Sequence, residues 1–518
     1  MGSQHGELVR GDAHTRELRD WFRVLPAAFI RSALPASLRE RGLLTGLLQR
    51  TTGTWADWMS RRRPDFAQQR TRGFYRAAAM PKRAQSVLFA MDVLQNAING
   101  ITTLQTPIPR AVPALAACSS VAAWGASTRD GRLLHARNFD FPAPELWNRA
   151  PAVVFCTPRT GQRYGFVTTW SGDVACVTAF NESGLTITPH TRFHRDFGWH
   201  GAGIVDICHA LVRGATTLDE ACALARRLRS ASTWGILVSS AAERSAMILE
   251  LTSRRCARVD PGREPWLCNT NHYLTDDLAG REAPPAALFP HHSRARLARL
   301  QQVMHHHDEA APADVDDLLD LLGDHRQAET GKPVVAGSIL NSPFTIQSVV
   351  VDPERQRVCL STGAAPVTHG ARVEIPWVWA DQPGAFEIPV TSDEQEDTSW
   401  RRAVRAHARG CQANLQEPDI RAAEPWMEAA LAAAPDDPSL QFINGAIALR
   451  RGDFGHAADL FSGAAAVSQA AIRRQRAAHW ARACARAARG QRTGIAGRLQ
   501  RQHNNATIDY ITVDLALP

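Results

Sequence analysis

The 518-residue sequence has almost no lysine, since its 59 basic residues are all arginine apart from Lys82 and Lys332. The formal net charge is +8, but the arginines are scattered among acidic residues. No long basic block is interleaved with aromatic residues, as is typical of a nucleic-acid-binding surface. We therefore interpret the arginine content as a compositional bias and expect no nucleic-acid partner.

The ten cysteines include no CxxC pair, which excludes zinc-ribbon spacing and a thioredoxin-like dithiol. We expect Cys156, Cys176, Cys208 and Cys222 to be small buried apolar groups. Because free buried thiols are typical of a reducing compartment, the sequence predicts a cytoplasmic protein.

Long apolar runs and nucleotide-binding motifs are also missing. The N-terminal stretch lacks a basic segment followed by an apolar one, and residues 24–37 are interrupted by Arg31 and two prolines. We therefore expect neither a signal peptide nor a membrane span. No P-loop, GxGxxG or GxSxG motif has a supporting context, so no cofactor is expected. The three histidines at 305–307 diverge by about 100° per residue on a helix and indicate an exposed polar run rather than a metal site.

Composition divides the chain into three parts. Residues 1–117 have apolar residues at helical spacing and end in a proline-rich linker at 105–117. Residues 118–385 contain short strands on either side of two helices, the second of which begins with a Thr217–Glu220 capping box. This order predicts an α+β domain of sheet layers covered by helices.

Residues 400–500 are rich in alanine and are predicted to be helical. Small and aromatic residues in this region match one tetratricopeptide unit, namely Gly445, Ala448, Gly452, Ala457, Phe461 and Ala464. The alternative is an ordinary helical hairpin. In either case a helical tail of this kind more often packs or recruits a partner than catalyses.

Cys118 begins a predicted strand, between small residues and directly after the linker. The RDG turn that follows predicts a hairpin whose second strand brings Arg137 back towards the thiol. A guanidinium there favours the thiolate and lowers the thiol pKa, and Asp140 can hold a nearby ammonium group. We expect these charges on the strand face opposite Phe139 and Phe141. The alternative is a set of surface charges beside a core strand.

The motifs around Cys118 resemble the cysteine branch of the N-terminal nucleophile (Ntn) hydrolases, which contains isopenicillin-N acyltransferases, choloylglycine hydrolases and penicillin V acylases. The resemblance runs from Cys118 to about residue 366. It is carried by CSSVAAWG at 118–125, R-N-x-D at 137–140, FNESGL at 180–185, TNH at 270–272, S-x-x-R at 293–296 and QSVVVDPERQRVCLSTG at 347–363.

This resemblance implies a four-layer αββα sandwich, made as a precursor that cuts itself between Ala117 and Cys118. Cys118 would then be the nucleophile, and its freed α-amino group would be the base. Arg137 would lower the thiol pKa or orient the substrate, and Asp140 would hold the α-ammonium group. Asn271 would donate to the oxyanion.

The resemblance also assigns the remainder of the site. Arg296, or its neighbour Arg294, would complete the polar centre. Asn181 is expected to shape a tight turn before Gly184 rather than to catalyse. His291 and His292 are expected near the mouth of the pocket, ahead of the S-x-x-R motif.

Two features bear on the substrate. A long segment before the nucleophile is nearer the acyltransferase type. His190 or Thr191 occupies the position where bile-acid enzymes have an asparagine, so bile salts are not expected as substrates.

The sequence thus predicts a self-activated cysteine amidohydrolase or acyltransferase acting on non-peptide C–N bonds of small N-acyl compounds. One alternative is an N-acyltransferase that takes its acyl group from acyl-CoA. Another is an inactive scaffold whose helical tail binds a protein partner. The simultaneous presence of Cys118, Arg137, Asp140 and Asn271 argues against this last alternative.

Overall fold

The computed structural model describes most of the chain. The described residues are 1–20, 50–51, 54–58, 61, 63–80, 117–141, 145–173, 177–196, 198, 201–284, 289–309, 311–379, 390–392, 398–416, 420–468 and 471–490.

Two seven-stranded antiparallel sheets form the centre of the molecule. The first has the strand order β10-β1-β2-β11-β12-β13-β14, with β1 Cys118–Ala123, β2 Leu134–Asp140, β10 Trp266–Asn269, β11 Thr345–Asp352, β12 Arg357–Ser361, β13 Arg372–Pro376 and β14 Val390–Ser392. The second runs from β3 to β9 in chain order, with β3 Pro151–Cys156, β4 Tyr164–Thr169, β5 Thr178–Asn181, β6 Leu185–Thr191, β7 Trp234–Ser240, β8 Ser245–Leu251 and β9 Cys256–Val259.

Helices cover the outer face of each sheet. The second sheet packs against α3 (Ile204–Gly214) and α4 (Leu218–Leu228) in one hydrophobic cluster. The first sheet packs against α6 (Phe289–Glu309) and α7 (Val315–Leu322) in another, and the short helix α5 (Asp276–Ala279) precedes α6. The inner faces of the sheets meet where β1 contacts β6 and β7. The predicted α+β class, with sheet layers covered by helices, is confirmed.

The hairpin predicted at Cys118 is present. Strands β1 and β2 pair in register, with Cys118 opposite Phe139, and Gly131 in the turn has φ of 67°. The expectation that Arg137 and Phe139 lie on opposite faces is wrong. Residues two apart share a face of a strand, and the Arg137 guanidinium carbon lies 4.9 Å from the centroid of the Phe139 ring.

The helix α4 begins as predicted at Thr217, whose side chain accepts a hydrogen bond from the backbone N–H of Glu220. The return bond of the capping box differs from the prediction. The Glu220 carboxylate accepts from the backbone N–H and the hydroxyl of Thr216 instead.

The first 80 residues contain α1 (Gly2–Leu8) and α2 (Asp65–Ala77), which contact each other. Arg70 of α2 is buried and donates to the Asp173 carboxylate, and Arg63 forms an ion pair with Asp206 of α3. Charged groups therefore fasten this N-terminal segment to the second sheet and its helix. Residues 81–116, which include all of the predicted linker except Ala117, lie outside the described residues.

Five packed helices follow one another in the part of the C-terminal region that the structure describes. They are α8 (Ser399–Gln416), α9 (Ile420–Ala433), α10 (Pro438–Arg451), α11 (Phe454–Val467) and α12 (Ala471–Ala488). Helix α10 ends at Gly452, whose φ is 80°, and the Phe461 ring packs closely against Gly445. The helical prediction for this region is confirmed, and the tetratricopeptide assignment stays a prediction.

None of the helices in the described part of the chain is long and apolar enough to cross a membrane. The cysteines of that part are all free thiols. Cys156, Cys208 and Cys222 are buried as expected, and Cys176 lies outside the described residues.

Candidate active site

Cys118 is the first residue of β1, a central strand of the first sheet, and it is 1% exposed. Its Sγ accepts a hydrogen bond of 3.3 Å from Nη2 of Arg137. The predicted approach of the guanidinium to the thiol is therefore present. Burial nevertheless raises the pKa of the Cys118 thiol, while Arg137 acts in the opposite direction. The Cys118 thiol is accordingly held in its protonated form.

The Arg137 guanidinium has more hydrogen-bond donors than the described part of the chain uses. Its Nη2 also donates to the backbone carbonyl of Pro189 at 2.9 Å. Its Nε and Nη1 are buried and have no hydrogen-bond partner among the described residues. Because an unpaired buried donor costs free energy, these atoms are suited to bind a substrate carbonyl or carboxylate.

Asp140 ends β2 beside Cys118. Its Oδ1 accepts a hydrogen bond of 2.6 Å from the Thr345 hydroxyl, and its Oδ2 has no partner in the described part of the chain. Burial raises the pKa of the Asp140 carboxyl to about 7, against the opposing effects of Thr345, Arg296 and Arg137. The carboxyl therefore changes its charge near neutral pH, and its free oxygen can accept from an ammonium group.

Asn271 and Arg296 both bind the backbone of Cys118. Asn271 Oδ1 accepts from the Cys118 N–H at 2.9 Å, and Arg296 Nη1 donates to the Cys118 carbonyl at 2.7 Å. Arg296 Nη2 donates to the same Asn271 oxygen at 2.8 Å. Because arginine can only donate, this contact fixes the orientation of the amide, so Asn271 Nδ2 points to the Thr191 carbonyl at 2.9 Å.

The choice between the two arginines of the S-x-x-R motif is decided by burial. Arg296 is 1% exposed, whereas Arg294 is exposed to solvent. Ser293, for which the sequence predicts no role, accepts from the backbone N–H of Asn271 at 2.8 Å. Residues three apart share a helix face, so Ser293 holds the backbone of Asn271 while Arg296 holds its side chain. The three-residue spacing of serine and arginine in the S-x-x-R motif could have indicated these roles of Ser293 and Arg296 from the sequence.

Residues 127–361 match the protein family described as acyl-coenzyme A:6-aminopenicillanic acid acyl-transferase. The chain resembles the cysteine Ntn hydrolases. The matched residues include Arg137, Asp140, Asn271 and Arg296. They begin after Cys118 and end before the helical tail.

Two solved structures are similar to this chain at low sequence identity. A Caenorhabditis elegans ortholog of N-acylethanolamine-hydrolyzing acid amidase has 14% identity and a TM-score of 0.32, covering 46% of this chain and 93% of its own. A mutant of the conjugated bile acid hydrolase from Clostridium perfringens has 12% identity and a TM-score of 0.33, covering 53% of this chain and 96% of its own. No curated protein matches the chain at a significant level.

His190 and Thr191 are the two residues expected at the position where bile-acid enzymes have an asparagine. His190 is fully buried, and a hydrogen bond of 2.7 Å joins its Nε2 to the Ser120 hydroxyl. Burial, together with three nearby arginines, holds the pKa of His190 well below its ordinary value. A neutral imidazole is therefore bound to Ser120, two positions along β1 from Cys118, and its Nδ1 has no hydrogen-bond partner among the described residues.

Asn181 has the turn-shaping role expected from the sequence. Its Oδ1 accepts from the backbone N–H groups of Ser183 and Leu185, and its Nδ2 donates to the carbonyls of Val212 and Ala215. It thus shapes the turn before Gly184, as predicted. It also anchors this turn to the end of α3, a contact that the sequence did not predict.

The other histidines singled out in the sequence lie in different environments. His305 and His306 are exposed, as expected for the polar run. His292 is 6% exposed, and burial, together with the nearby Arg296 guanidinium, lowers its pKa. His291 is partly exposed and faces Glu329.

Proposed function

We propose that the chain is a self-activated cysteine amidohydrolase or acyltransferase that acts on non-peptide C–N bonds of small N-acyl compounds. The observation that carries the proposal is the set of contacts around Cys118. Arg137 binds its sulfur, Asn271 its nitrogen and Arg296 its carbonyl oxygen. Three side chains thus converge on the sulfur and on both backbone polar atoms of this one cysteine.

Activation begins with attack of the Cys118 sulfur on the carbonyl carbon of Ala117. The C–N bond between the two residues breaks, the nitrogen takes up the thiol proton, and a thioester forms. Water then hydrolyses the thioester, which leaves a carboxylate on Ala117 and a free thiol on Cys118. The new α-amine has an ordinary pKa near 8, so it can accept the thiol proton in each later cycle.

Turnover follows the same chemistry on an external substrate. The thiolate attacks the acyl carbonyl, the C–N bond breaks, and the leaving amine takes the proton that the α-amine had accepted. The product is an acyl-thioester on Cys118. Water releases the acyl group as an acid, and a second amine releases it as a new amide.

An apolar wall beside the nucleophile supports an acyl chain as the recognised group. Phe139 lies opposite Cys118 in the sheet and stacks on Phe141 at 5.5 Å, and Trp147 packs edge-on against Phe139 at 6.2 Å. Arg137 lies over the same Phe139 ring. A carbonyl held by the guanidinium would therefore have its hydrocarbon portion against aromatic side chains. Because the nucleophile must stay a free thiol, we place the protein in a reducing, cytoplasmic environment.

A second candidate is transfer of an acyl group from acyl-CoA to an amine. It is favoured by the description of the matched family, which names an acyl-coenzyme A donor. The acyl-enzyme is the same in both cases, and only the donor and the acceptor differ.

The test is to trap the acyl-enzyme. The protein is mixed with N-acyl amines of increasing chain length, or with acyl-CoA, and quenched in acid before mass measurement. The proposal expects an added mass of one acyl group on Cys118 and none in the Cys118→Ala variant. Added amine should divert product from acid to amide if transfer is the natural outcome. Absence of any adduct from every donor would contradict the proposal.

A further inference from the structure

The segment 333–345, which connects α7 to β11, lies between the C-terminal helices and the candidate active site. Val335 is 1% exposed and packs with Val404 of α8 and Leu440 of α10. Ala336 and Phe344 are buried in the main hydrophobic cluster of the C-terminal helices. One side of this segment is therefore part of the core of the helical tail.

Hydrogen bonds fix the same side. Asp437 Oδ2 accepts from the Val335 N–H at 2.8 Å, and the Ser439 hydroxyl accepts from the Ala336 N–H at 2.9 Å. Asp437 is also the N-cap of α10, where its Oδ1 accepts from the backbone N–H groups of Ser439 and Leu440. A single carboxylate thus begins a tail helix and holds the segment.

The other end of the segment holds the end of β2. The Phe344 carbonyl accepts from the Phe141 N–H at 2.9 Å, and the Thr345 hydroxyl donates to Asp140 Oδ1. The Ser342 N–H donates back to the Thr345 hydroxyl oxygen at 3.1 Å. The hydroxyl rotor is therefore fixed with its proton towards Asp140.

We propose that the C-terminal helices are a positioning element of the active site, acting through segment 333–345 on the Asp140 carboxylate. Asp437 is then a positioning residue, although it lies outside residues 127–361 that match the acyl-transferase family. The inference deepens the proposed function, since it gives Asp140 a defined geometry for holding the α-ammonium group of Cys118. The tail supplies this geometry by clamping the backbone that carries Thr345.

Loosening of segment 333–345 should change the pH dependence of the reaction rate. The Thr345 hydrogen bond lowers the pKa of Asp140, against burial. If the segment loosens, this hydrogen bond weakens and the pKa of the carboxyl rises further. A rate that depends on ionised Asp140 then reaches its plateau at higher pH.

The test compares Asp437→Ser with Asp453→Ser. Serine caps helices about as well as aspartate, so both variants keep a cap, but serine at 437 loses the second oxygen that accepts from Val335. Asp453 caps α11 through His456 and is the matched control. We expect Asp437→Ser to lower the rate of acyl-enzyme formation by the cleaved protein between about ten- and hundredfold, as misplacement of a catalytic group does, and to move the pH midpoint of that rate upward. Asp453→Ser should leave both unchanged.

Two variants of Thr345 test whether Asp437 acts on Asp140 through the Thr345 hydroxyl. Thr345→Val should reproduce the upward shift of the pH midpoint, and Thr345→Ser should restore the wild-type profile. An Asp437→Ser variant with the wild-type midpoint and rate would overturn the proposal.

Hydrogen exchange separates this proposal from the proposed function. Amides in peptides covering 134–141 and 333–345 should exchange faster in Asp437→Ser than in Asp453→Ser, whether or not the protein cleaves itself. Faster exchange with an uncleaved wild type contradicts the proposed function and supports the coupling. Unchanged exchange in these peptides contradicts the coupling, whatever the activity.

Discussion

Arg296 joins three groups of the site through one guanidinium, namely the Cys118 carbonyl, the Ser119 hydroxyl and Asn271 Oδ1. Lysine carries the same charge as a point and cannot serve three acceptors in this geometry. We expect Arg296→Lys to slow self-cleavage about a hundredfold, measured as the rate at which the full-length band disappears. The matched control is Arg294→Lys, because Arg294 is exposed two residues away. Equal rates for both variants would contradict the role of Arg296.

Ionisation of the Asp140 carboxyl lowers the stability of the folded protein. Its pKa is about 7 in the folded chain, above the ordinary 3.8, so the unfolded state gives up its proton first. Stability is therefore lost as pH rises from about 4 to 7. We expect Asp140→Asn to raise the unfolding temperature at pH 8, with little gain at pH 4, while activity falls. An Asp140→Asn variant that is less stable than wild type at pH 8 would show that this carboxylate stabilises the fold.

At the scale of elements, α2 is held by a buried ion pair. Arg70 donates to Asp173, and their side chains are 7% and 2% exposed. The guanidinium holds the pKa of the Asp173 carboxyl below its usual range, against burial. Arg70→Met would leave that carboxylate buried, with the His5 imidazole 3.7 Å away as its remaining partner. Loss of one partner of a buried pair costs about 3 kcal/mol or more.

Urea unfolding at pH 7 measures this loss, and Arg72→Met is the control because Arg72 is exposed on the same helix. A loss of less than about 1 kcal/mol would mean that the N-terminal helices contribute little to the stability of the whole. After self-cleavage the same variant should release residues 1–117 more readily on gel filtration.

Local elements were predictable because their signals are local. The turn chemistry and alternation around Cys118 predicted the β1–β2 hairpin, and the hairpin alone brings Arg137 to the sulfur. The N-cap of α4 could be predicted from a single threonine, Thr217, at the start of the helical pattern. By contrast, the wrong face assignment of Phe139 can be corrected only by counting positions along the strand. Arg137 and Phe139 are two residues apart and therefore share a face.

Contacts between distant segments were not predictable from one sequence. Thr345 binds Asp140 across 205 residues, and Asp437 binds Val335 across 102. Neither threonine nor aspartate has a local signature for such a role, since each forms common turn and cap contacts elsewhere. These bonds depend on how the sheets and the helical tail pack together, which periodicity does not encode.

At the scale of the whole molecule, many histidines are buried in neutral form. Burial lowers the pKa of six of them to about 3 or 4, namely His135, His209, His272, His325, His369 and His407. Their ordinary value is 6.5, so unfolding takes up protons between pH 6.5 and about 4. Stability should therefore fall steeply as pH is lowered through this range.

Two of these histidines lie where the central domain meets the tail. The Asn341 amide nitrogen lies 2.8 and 3.1 Å from Nε2 of His325 and His369, and Trp400 of α8 packs edge-on against His325. Chemical unfolding at several pH values measures the slope. His325→Gln should flatten it, and the exposed control His306→Gln should not. A free energy of unfolding that is constant from pH 7 to 4 would contradict this prediction.

The central claim is that Cys118 becomes an N-terminus through its own chemistry. Intact mass measurement and N-terminal sequencing of the full-length protein test it, beside Cys118→Ala and the control Cys268→Ala, which removes a buried thiol from the neighbouring strand β10. Wild type and Cys268→Ala should give fragments 1–117 and 118–518, the larger beginning Cys-Ser-Ser-Val, and Cys118→Ala should stay intact. A single 56.7 kDa chain in all three, or cleavage that persists in Cys118→Ala, would contradict it.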